Sequence, residues 1–297
     1  MLARSMARRI SIVGAGRVGT TLGKRLRPLG WRVGAVVTRS QRTARAAVRT
    51  IGGGSAFSSL TADVLDADVV LLTTPDDALA DAARSLAKIG GGAWPGKVVL
   101  HTSGALDRGV LGPLARLGAA TGSLHPMQTF SGRNVPKLDG VTFAVEGDRK
   151  ALHVAKQIAR SLGGVPVVIK STDKPAYHAT AVLAAGSGFA LIEAAVQMLE
   201  KIGFTRRRAI ETLLPLTRQM LDNIEQHGPR AAWTGPLSRG DFEVVAKHVR
   251  ALRRYPSEFQ GSYAALAVLA ARVLAKNPEA TLRNLRRVLK KSQGGHR

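Results

Sequence analysis

Short apolar runs recur through residues 1–169 and alternate with segments of helical spacing. They lie at residues 10–13, 31–37, 67–74, 96–102, 121–124, 141–147 and 165–169. Most are apolar at consecutive positions, which is typical of strands buried on both faces of a parallel sheet. Strands alternating with helices in this way predict a doubly wound, mostly parallel α/β sheet.

The pattern changes after Lys170, where helical spacing alone continues. The predicted helices cover residues 177–201, 205–226, 240–253, 257–276 and 278–291. The first is apolar on nearly every side, which predicts a helix at the buried centre of this half. Gly186-Ser187-Gly188 interrupts it. We therefore predict an α/β domain at 1–169 and an all-α domain at 170–297.

The first apolar run ends in a glycine turn at residues 14–19 (GAGRVG), and helical spacing follows directly. Two glycines let the backbone turn tightly and approach a pyrophosphate, and the third lets the helix pack on the strand. The phosphates then meet the free amides at the helix start. The alternative is an ordinary strand-to-helix turn. The predicted cofactor residues here are Gly14, Gly16, Arg17, Val18 and Gly19.

The end of the second run indicates which dinucleotide is preferred. NAD enzymes tend to carry Asp or Glu at this place, to hold the ribose hydroxyl. Here the chain reads Thr38-Arg39-Ser40, without an acid. Arg39 can pair with the 2′-phosphate of NADP, while Thr38 and Ser40 can donate hydrogen bonds. The sequence therefore favours NADP over NAD; a solvated arginine is the alternative.

Polar residues follow the third and fourth runs, where ligands of such sheets collect. We predict that the cofactor also contacts Thr73, Thr74, Pro75, Thr102 and Ser103. The polar loop after the fifth run predicts a substrate-facing edge made by His125, Met127 and Gln128. His125 has an alternative role as a structural histidine bonded to nearby backbone.

A second candidate for substrate binding lies in residues 235–241 (GPLSRGD). Ser238 or Asp241 can cap the following helix, which leaves Arg239 free to clamp a carboxylate or phosphate with two hydrogen bonds. The alternative is an Arg239–Asp241 pair that only fixes the loop.

Composition narrows the class of partner. The chain has 297 residues, 44 of them basic and 20 acidic, for a net charge of +24. Aromatic residues make up only 4%, so no stacking platform for bases is visible, and we expect no specific nucleic-acid binding. Cysteine is absent and the histidines are dispersed, so we predict no metal site. We expect no apolar run to reach membrane-spanning length, no membrane contact, and a cytoplasmic location.

The chain resembles bacterial Rossmann-like oxidoreductases whose C-terminal half is a domain of unknown function. The matching segments are 14–19 (GAGRVG), 101–104 (HTSG), 124–130 (LHPMQTF), 177–179 (YHA) and 234–241 (TGPLSRGD), with His248 beyond. Pyrroline-5-carboxylate reductase, ketopantoate reductase and 6-phosphogluconate dehydrogenase are distant relatives of this family. The resemblance implies a Rossmann sheet followed by an all-α domain of the 6-phosphogluconate dehydrogenase type, which helps to build the active site and often the dimer.

Hydride transfer needs a proton donor or a positive field at the developing charge. Lys174 and His178 are four residues apart and would share one face of a helix. Related dehydrogenases use Lys and Asn at this spacing. Relatives often carry an Asn further along this helix, where the present chain has Ser187. The catalytic candidates are therefore His178, Lys174 and Ser187, against a capping lysine and a buried structural histidine.

These observations favour an NADP-dependent oxidoreductase that acts as a homodimer on a small, anionic carbonyl or imine. Two alternatives stay open: a non-catalytic NADP-binding sensor or partner-binding protein, and an oxidoreductase that uses a deazaflavin carrier.

Overall fold

The computed structural model describes residues 8–131 and 135–293. The chain divides into two compact units, Met1–Gly186 and Ser187–Arg297. The predicted boundary between residues 169 and 170 follows directly on the last strand, which ends at Val168. The first unit extends further because Lys174 and Tyr177 hydrogen bond to residues of the sheet.

The first unit contains one sheet of eight strands in the order β3-β2-β1-β4-β5-β6-β7-β8. The strands are β1 (Arg9–Val13), β2 (Arg32–Val37), β3 (Ser55–Phe57), β4 (Val69–Leu72), β5 (Val98–His101), β6 (Ala120–Pro126), β7 (Thr142–Gly147) and β8 (Val165–Val168). Neighbours are parallel except β6 and β7, which are antiparallel. The predicted doubly wound, mostly parallel sheet is confirmed.

Helices cover both faces of this sheet. They are α1 (Arg17–Leu26), α2 (Gln41–Ile51), α3 (Asp76–Gly90), α4 (Gly112–Ala115), α5 (Arg149–Ser161) and α6 (Lys174–Ala181). Leu22 of α1 and Ile158 of α5 share one core with Ile10 of β1. Leu79 of α3 belongs to a second core with Val70 of β4. Apolar side chains on both faces explain the continuous apolar runs.

The strand register brings the carboxyl ends of the central strands side by side. Leu72 pairs with His101, His101 pairs with Ser123, and Ser123 pairs with Glu146. Residues just beyond Leu72 and His101 therefore converge with the end of β6 on one edge of the sheet, as expected for the ligand-binding edge of a doubly wound fold.

The second unit is helical. Its helices are α7 (Ser187–Lys201), α8 (Arg206–His227), α9 (Pro236–Arg239), α10 (Phe242–Leu252), α11 (Ser257–Leu274) and α12 (Pro278–Gln293). Val245, Val249, Ala271, Leu282 and Leu285 form a core shared by α10, α11 and α12. The predicted all-α C-terminal region is confirmed.

The helix expected at the buried centre of the second half is exposed instead. Residues 171–201 form one helical run of 31 residues, and only 6% of its most apolar window is buried. By length and composition this run could cross a membrane, so the expectation that no apolar run is so long was wrong. A π-helical turn at Val182–Gly186 carries the helix into the Gly-Ser-Gly segment, which the sequence indicated as an interruption.

Candidate active site

The glycine turn has the geometry that a dinucleotide loop requires. Gly14 has φ +87°, and a Cβ atom there would lie 2.6–2.9 Å from three atoms of Thr74. Thr73 donates its backbone N–H to Val13 O at 2.8 Å and its hydroxyl to Gly14 O at 2.8 Å. A Cβ atom on Gly16 would instead have its nearest neighbour at 3.8 Å, in open space. Packing against Thr74 therefore requires glycine at position 14, whereas at position 16 no protein atom lies close enough to exclude a side chain.

Several features at this turn fit the phosphates of a dinucleotide. No side chain caps the start of α1 and its first turn contains no acid, so its amides stay available to an anion. The hydroxyl oxygen of Thr74 is buried without a hydrogen-bond partner, which points to a missing ligand. A cleft of about 450 Å³ opens beside Gly16 and Arg17.

The segment after β2 carries an exposed arginine, Arg39. The Thr38 hydroxyl donates to Ser40 O at 2.8 Å, and Ser40 Oγ caps α2 by accepting from the Thr43 amide at 3.2 Å. These two predicted ligands therefore already have protein partners. Arg39 is exposed and has no ion pair or hydrogen bond within the described part of the chain. Arg39 thus remains the side chain suited to a 2′-phosphate.

Ser103, a predicted cofactor ligand after β5, is occupied by local structure. Its hydroxyl donates to Asp76 Oδ2 at 2.9 Å and accepts from the amides of Ala105 and Leu106. Thr102 donates its amide to Leu72 O at 3.1 Å. The Ser103 side chain therefore fixes the turn, while its carbonyl binds a lysine.

That lysine is Lys174, which is fully buried at the start of α6. Its Nζ donates to Ser103 O at 3.0 Å and to Ser123 Oγ at 2.8 Å. Burial lowers the pKa of the amine to about 8, against opposing attraction from Glu146, Asp107 and Asp76. At neutral pH Lys174 is thus a buried cation directly beneath the turn at residues 103–104.

His101, below the turn, is held in one neutral form. The Ser103 amide donates to its Nδ1 at 3.2 Å, so the proton is on Nε2, which lies 3.1 Å from Asp107 O. Burial, together with the charge of Lys174, lowers the pKa of His101 to about 3. With both nitrogens occupied by backbone groups, His101 is a structural residue.

His125 and Tyr177 form a hydrogen-bonded pair at the same edge, with 2.9 Å between Nδ1 and the phenol oxygen. Burial raises the pKa of Tyr177 to about 12. Burial and the nearby His178 and Lys174 lower the pKa of His125 to about 4. Both groups are neutral at pH 7. Because a phenol is the stronger donor, we assign its proton to the bond with Nδ1, which leaves the imidazole proton on Nε2.

His178 lies beside this pair, with its ring centroid 5.8 Å from that of His125. Its Nδ1 is buried and has no hydrogen-bond partner. A Cβ atom on Gly104 would lie 2.5 Å from this nitrogen and 2.8 Å from Nε2 of His125. Two imidazole nitrogens therefore face the same glycine at the carboxyl end of β5. An unpartnered buried nitrogen in such a place indicates a ligand site.

The remaining predicted residues make local contacts of their own. Gln128 is exposed, and its Oε1 accepts from the Thr129 amide at 2.8 Å, while Met127 donates its own amide to Thr142 O. Ser187 begins α7 in the second unit. Ser238 donates to Gly235 O at 2.8 Å, and Arg239 pairs with Asp241 at 3.0 Å. The contact of the loop-fixing alternative is thus present, while a substrate-binding role of Arg239 stays a prediction.

The sequence-based site lacked three groups: His101, Tyr177 as a partner of His125, and Glu146. Tyr177 appeared only within the family resemblance. Glu146 had a detectable signal, because a lone acid stands inside an otherwise apolar strand at residues 141–147. A buried carboxylate needs partners, but pairing with Ser123 depends on an antiparallel register that sequence does not reveal.

Comparison with known proteins agrees with this architecture. A Rossmann-like domain profile matches residues 3–126, and the domain of unknown function DUF2520 matches residues 141–269. The chain pairs a Rossmann-like domain with a DUF2520 domain. The family resemblance derived from the sequence is thereby confirmed. No curated protein matches the chain.

Several solved structures with the same fold carry the names of enzymes. BF3122 from Bacteroides fragilis, described as an NADP oxidoreductase, is 24% identical with TM-score 0.73, covering 88% of this chain and 97% of its own. A reductive aminase from Aspergillus terreus, solved with NADPH and ethyl-5-oxohexanoate, is 16% identical with TM-score 0.62, covering 98% and 96%. A 1-pyrroline-5-carboxylate reductase from Streptococcus pyogenes is 14% identical with TM-score 0.57, covering 97% and 99%. These likenesses establish the fold.

Proposed function

We propose that this protein is an NADP-dependent oxidoreductase that moves hydride to or from a small carbonyl or imine. The observation that carries the proposal is the buried, unpartnered Nδ1 of His178, which faces Gly104 beside Nε2 of His125. This pair lies at the sheet edge where doubly wound folds bind their ligands. The dinucleotide chemistry named for the solved structures supports the same reaction class.

The cofactor would be held by the glycine turn, the start of α1 and Arg39. When bound, NADPH supplies the hydride. The amides at the start of α1 would bind the pyrophosphate, Thr74 would offer its free hydroxyl, and Arg39 would pair with the 2′-phosphate. Preference for NADP over NAD follows from the missing acid at the end of β2.

The protein's own part in the chemistry is to bind and protonate the substrate heteroatom. His178 donates at Nδ1, and His125 donates at Nε2 while Tyr177 holds its other nitrogen. The Lys174 ammonium is buried and bonded to Ser103 O and Ser123 Oγ, so it supplies a fixed positive field that stabilises negative charge on that heteroatom. We propose a small, anionic substrate, which suits the net charge of +24.

We also propose that the working form is a homodimer built on the long apolar helix. Leu183 is 69% exposed and Phe189 is 67% exposed, and the neighbouring α8 exposes Leu216 and Met220. Apolar surface of this extent on a soluble protein marks an interface. A second copy of the chain offers the matching apolar face.

The test of the reaction is NADPH oxidation followed by absorbance across small 2-oxo acids, aldehyde acids and cyclic imines. With the substrate so found, His178→Asn should lower kcat by about 10²–10⁴-fold, because the variant cannot transfer a proton. NADPH affinity should stay at the wild-type value. The control is His153→Asn, at an exposed histidine on α5. Full activity in His178→Asn would contradict the assignment.

A further inference from the structure

Glu146 is a buried carboxylate that the proposed chemistry does not use. It lies on β7 and is only 5% exposed. It accepts hydrogen bonds from the Arg108 amide at 3.0 Å, from Ser171 Oγ at 2.9 Å and from Ser123 Oγ at 3.4 Å. The Arg108 guanidinium stands 3.8 Å away at Nε. Burying a carboxylate costs desolvation free energy even when it is paired, so we expect a role that requires this charge.

Ser123 connects this carboxylate to the buried amine. Lys174 Nζ donates to Ser123 Oγ at 2.8 Å, and the same hydroxyl donates to Glu146 Oε2. Ser123 is fully buried and is the register partner of Glu146 in the antiparallel pair of strands. A hydroxyl with one donor and two lone pairs can serve both bonds at once. The sheet register therefore builds a continuous chain from Lys174 through Ser123 to Glu146.

Asp107 and Asp76 also act on Lys174, but among residues 8–131 and 135–293 neither carboxylate is joined to it through a side-chain hydroxyl. Asp76 accepts from Ser103 Oγ, and Asp107 caps a turn by accepting from the Gly109 amide. Both attract the amine electrostatically, after Glu146 in strength. The charge of Lys174 in turn contributes to lowering the pKa values of His101 and His125. The charge of the Lys174 amine therefore affects the pKa of His125, which faces Gly104.

We propose that Glu146, acting through Ser123, is a positioning residue that keeps the buried amine of Lys174 charged and aimed at the turn at residues 103–104. In this arrangement Glu146 touches neither substrate nor cofactor. It maintains the positive potential at His125, which keeps this imidazole neutral and stabilises an anionic heteroatom between His125 and His178. The effect of Glu146 on catalysis rests on the proposed function, whereas its effect on the charge of Lys174 is independent of that function.

The direct test is an NMR titration of the Lys174 amine in the full chain with labelled lysine, assigned by Lys174→Arg. Removal of the carboxylate charge by Glu146→Gln should lower the pKa of Lys174 by at least about one pH unit, from its value near 8. Ser123→Ala, which keeps the charge but removes the link, should lower it by less. The matched control is Asp81→Asn, at an exposed carboxylate of α3 that pairs with Arg84.

The kinetic counterpart is the pH profile of NADPH oxidation. Its alkaline limb should move to lower pH in Glu146→Gln by the same amount as the Lys174 pKa, a result that a purely structural role would not give. An unchanged Lys174 pKa in folded Glu146→Gln would overturn the proposal. If that variant does not fold, an unchanged pKa in Ser123→Ala overturns it instead. Failure of the wild-type protein to bind NADPH would contradict the proposed function alone, because the Lys174 titration needs no cofactor.

Discussion

At the scale of single residues, burial determines which of the ionisable groups can react. The four-residue spacing of Lys174 and His178 predicted that they share one face of a helix. In the structure both side chains lie next to residues of the sheet. Spacing could not show that Lys174 lies fully buried and bonded to Ser103 and Ser123. Nor could it show that His101 is locked while His178 Nδ1 is free, because those states depend on contacts between distant segments.

The buried His101 should make the protein sensitive to acid. Its pKa is about 3 in the folded state and about 6.5 when unfolded. Below pH 6.5 the unfolded chain binds a proton that the native state cannot, so stability falls as the pH drops. Between pH 6.5 and 5 this group alone removes about 2 kcal/mol from the free energy of unfolding. Urea denaturation across this range measures the slope.

The variant His101→Gln should be less stable at neutral pH but should lose this part of the slope, since glutamine does not titrate. His153→Gln, at an exposed position, should keep the wild-type slope. Equal slopes in wild type and His101→Gln would mean that the acid sensitivity has another origin.

Substitutions of Gly14 and Gly16 should affect different properties, folding stability for Gly14 and cofactor affinity for Gly16. Gly14→Ala adds a Cβ within 2.9 Å of Thr74 at φ +87°, so we expect the free energy of unfolding to fall by about 1–3 kcal/mol. Gly16→Ala meets nothing closer than 3.8 Å, and should fold with nearly wild-type stability while losing NADPH affinity. Chemical denaturation and calorimetric titration of both variants provide the measurements. Unchanged NADPH affinity in Gly16→Ala would place the phosphates elsewhere.

At the scale of elements, continuous apolar runs predicted the central strands because both faces of the sheet are covered by helices. The short β3 was missed, since its three residues are exposed or half-buried and carry no such signal. The long helix was predicted to be buried because it is apolar all round, yet periodicity cannot tell what covers a helix. The hydroxyls of Thr38 and Ser40 were predicted to bind the cofactor. In the structure the Ser40 hydroxyl caps α2.

The start of α2 offers a prediction at this scale. Ser40→Ala removes the hydroxyl that accepts from the Thr43 amide, so the free energy of unfolding should fall by about 1 kcal/mol. Because this hydroxyl is already engaged, NADPH affinity of the folded variant should stay unchanged. Urea denaturation and calorimetric titration measure the two quantities. A large loss of NADPH affinity with an unchanged free energy of unfolding would show that Ser40 binds the cofactor.

At the scale of the whole molecule, the two units differ in how much of their apolar surface they bury. The sheet unit has extensive closed cores, whereas α7 and α8 expose large apolar side chains. Fold and domain order followed from the sequence. The register that joins His101, Ser123 and Glu146 did not, because pairing between strands far apart in the chain leaves no local pattern.

The exposed helix predicts an oligomer that a single charge should disrupt. Phe189→Glu places a carboxylate on the apolar surface at a side chain that is 67% exposed, so it should convert a dimer to monomer at micromolar concentration without unfolding the chain. Analytical ultracentrifugation reports the mass. Gln197→Lys, at an exposed polar site of the same helix, serves as the control. A wild-type protein that sediments as a monomer would exclude this interface.

The most direct measurement of the central claim is calorimetric titration of the purified protein with NADPH, NADP, NADH and NAD. We expect the phosphorylated pair to bind more tightly by about tenfold or more, equivalent to about 1.4 kcal/mol. Arg39→Ala should remove this preference while NADH affinity stays unchanged, because Arg39 contacts only the 2′-phosphate. Binding of none of the four nucleotides would contradict the account, and equal affinity for NADPH and NADH would contradict the role of Arg39.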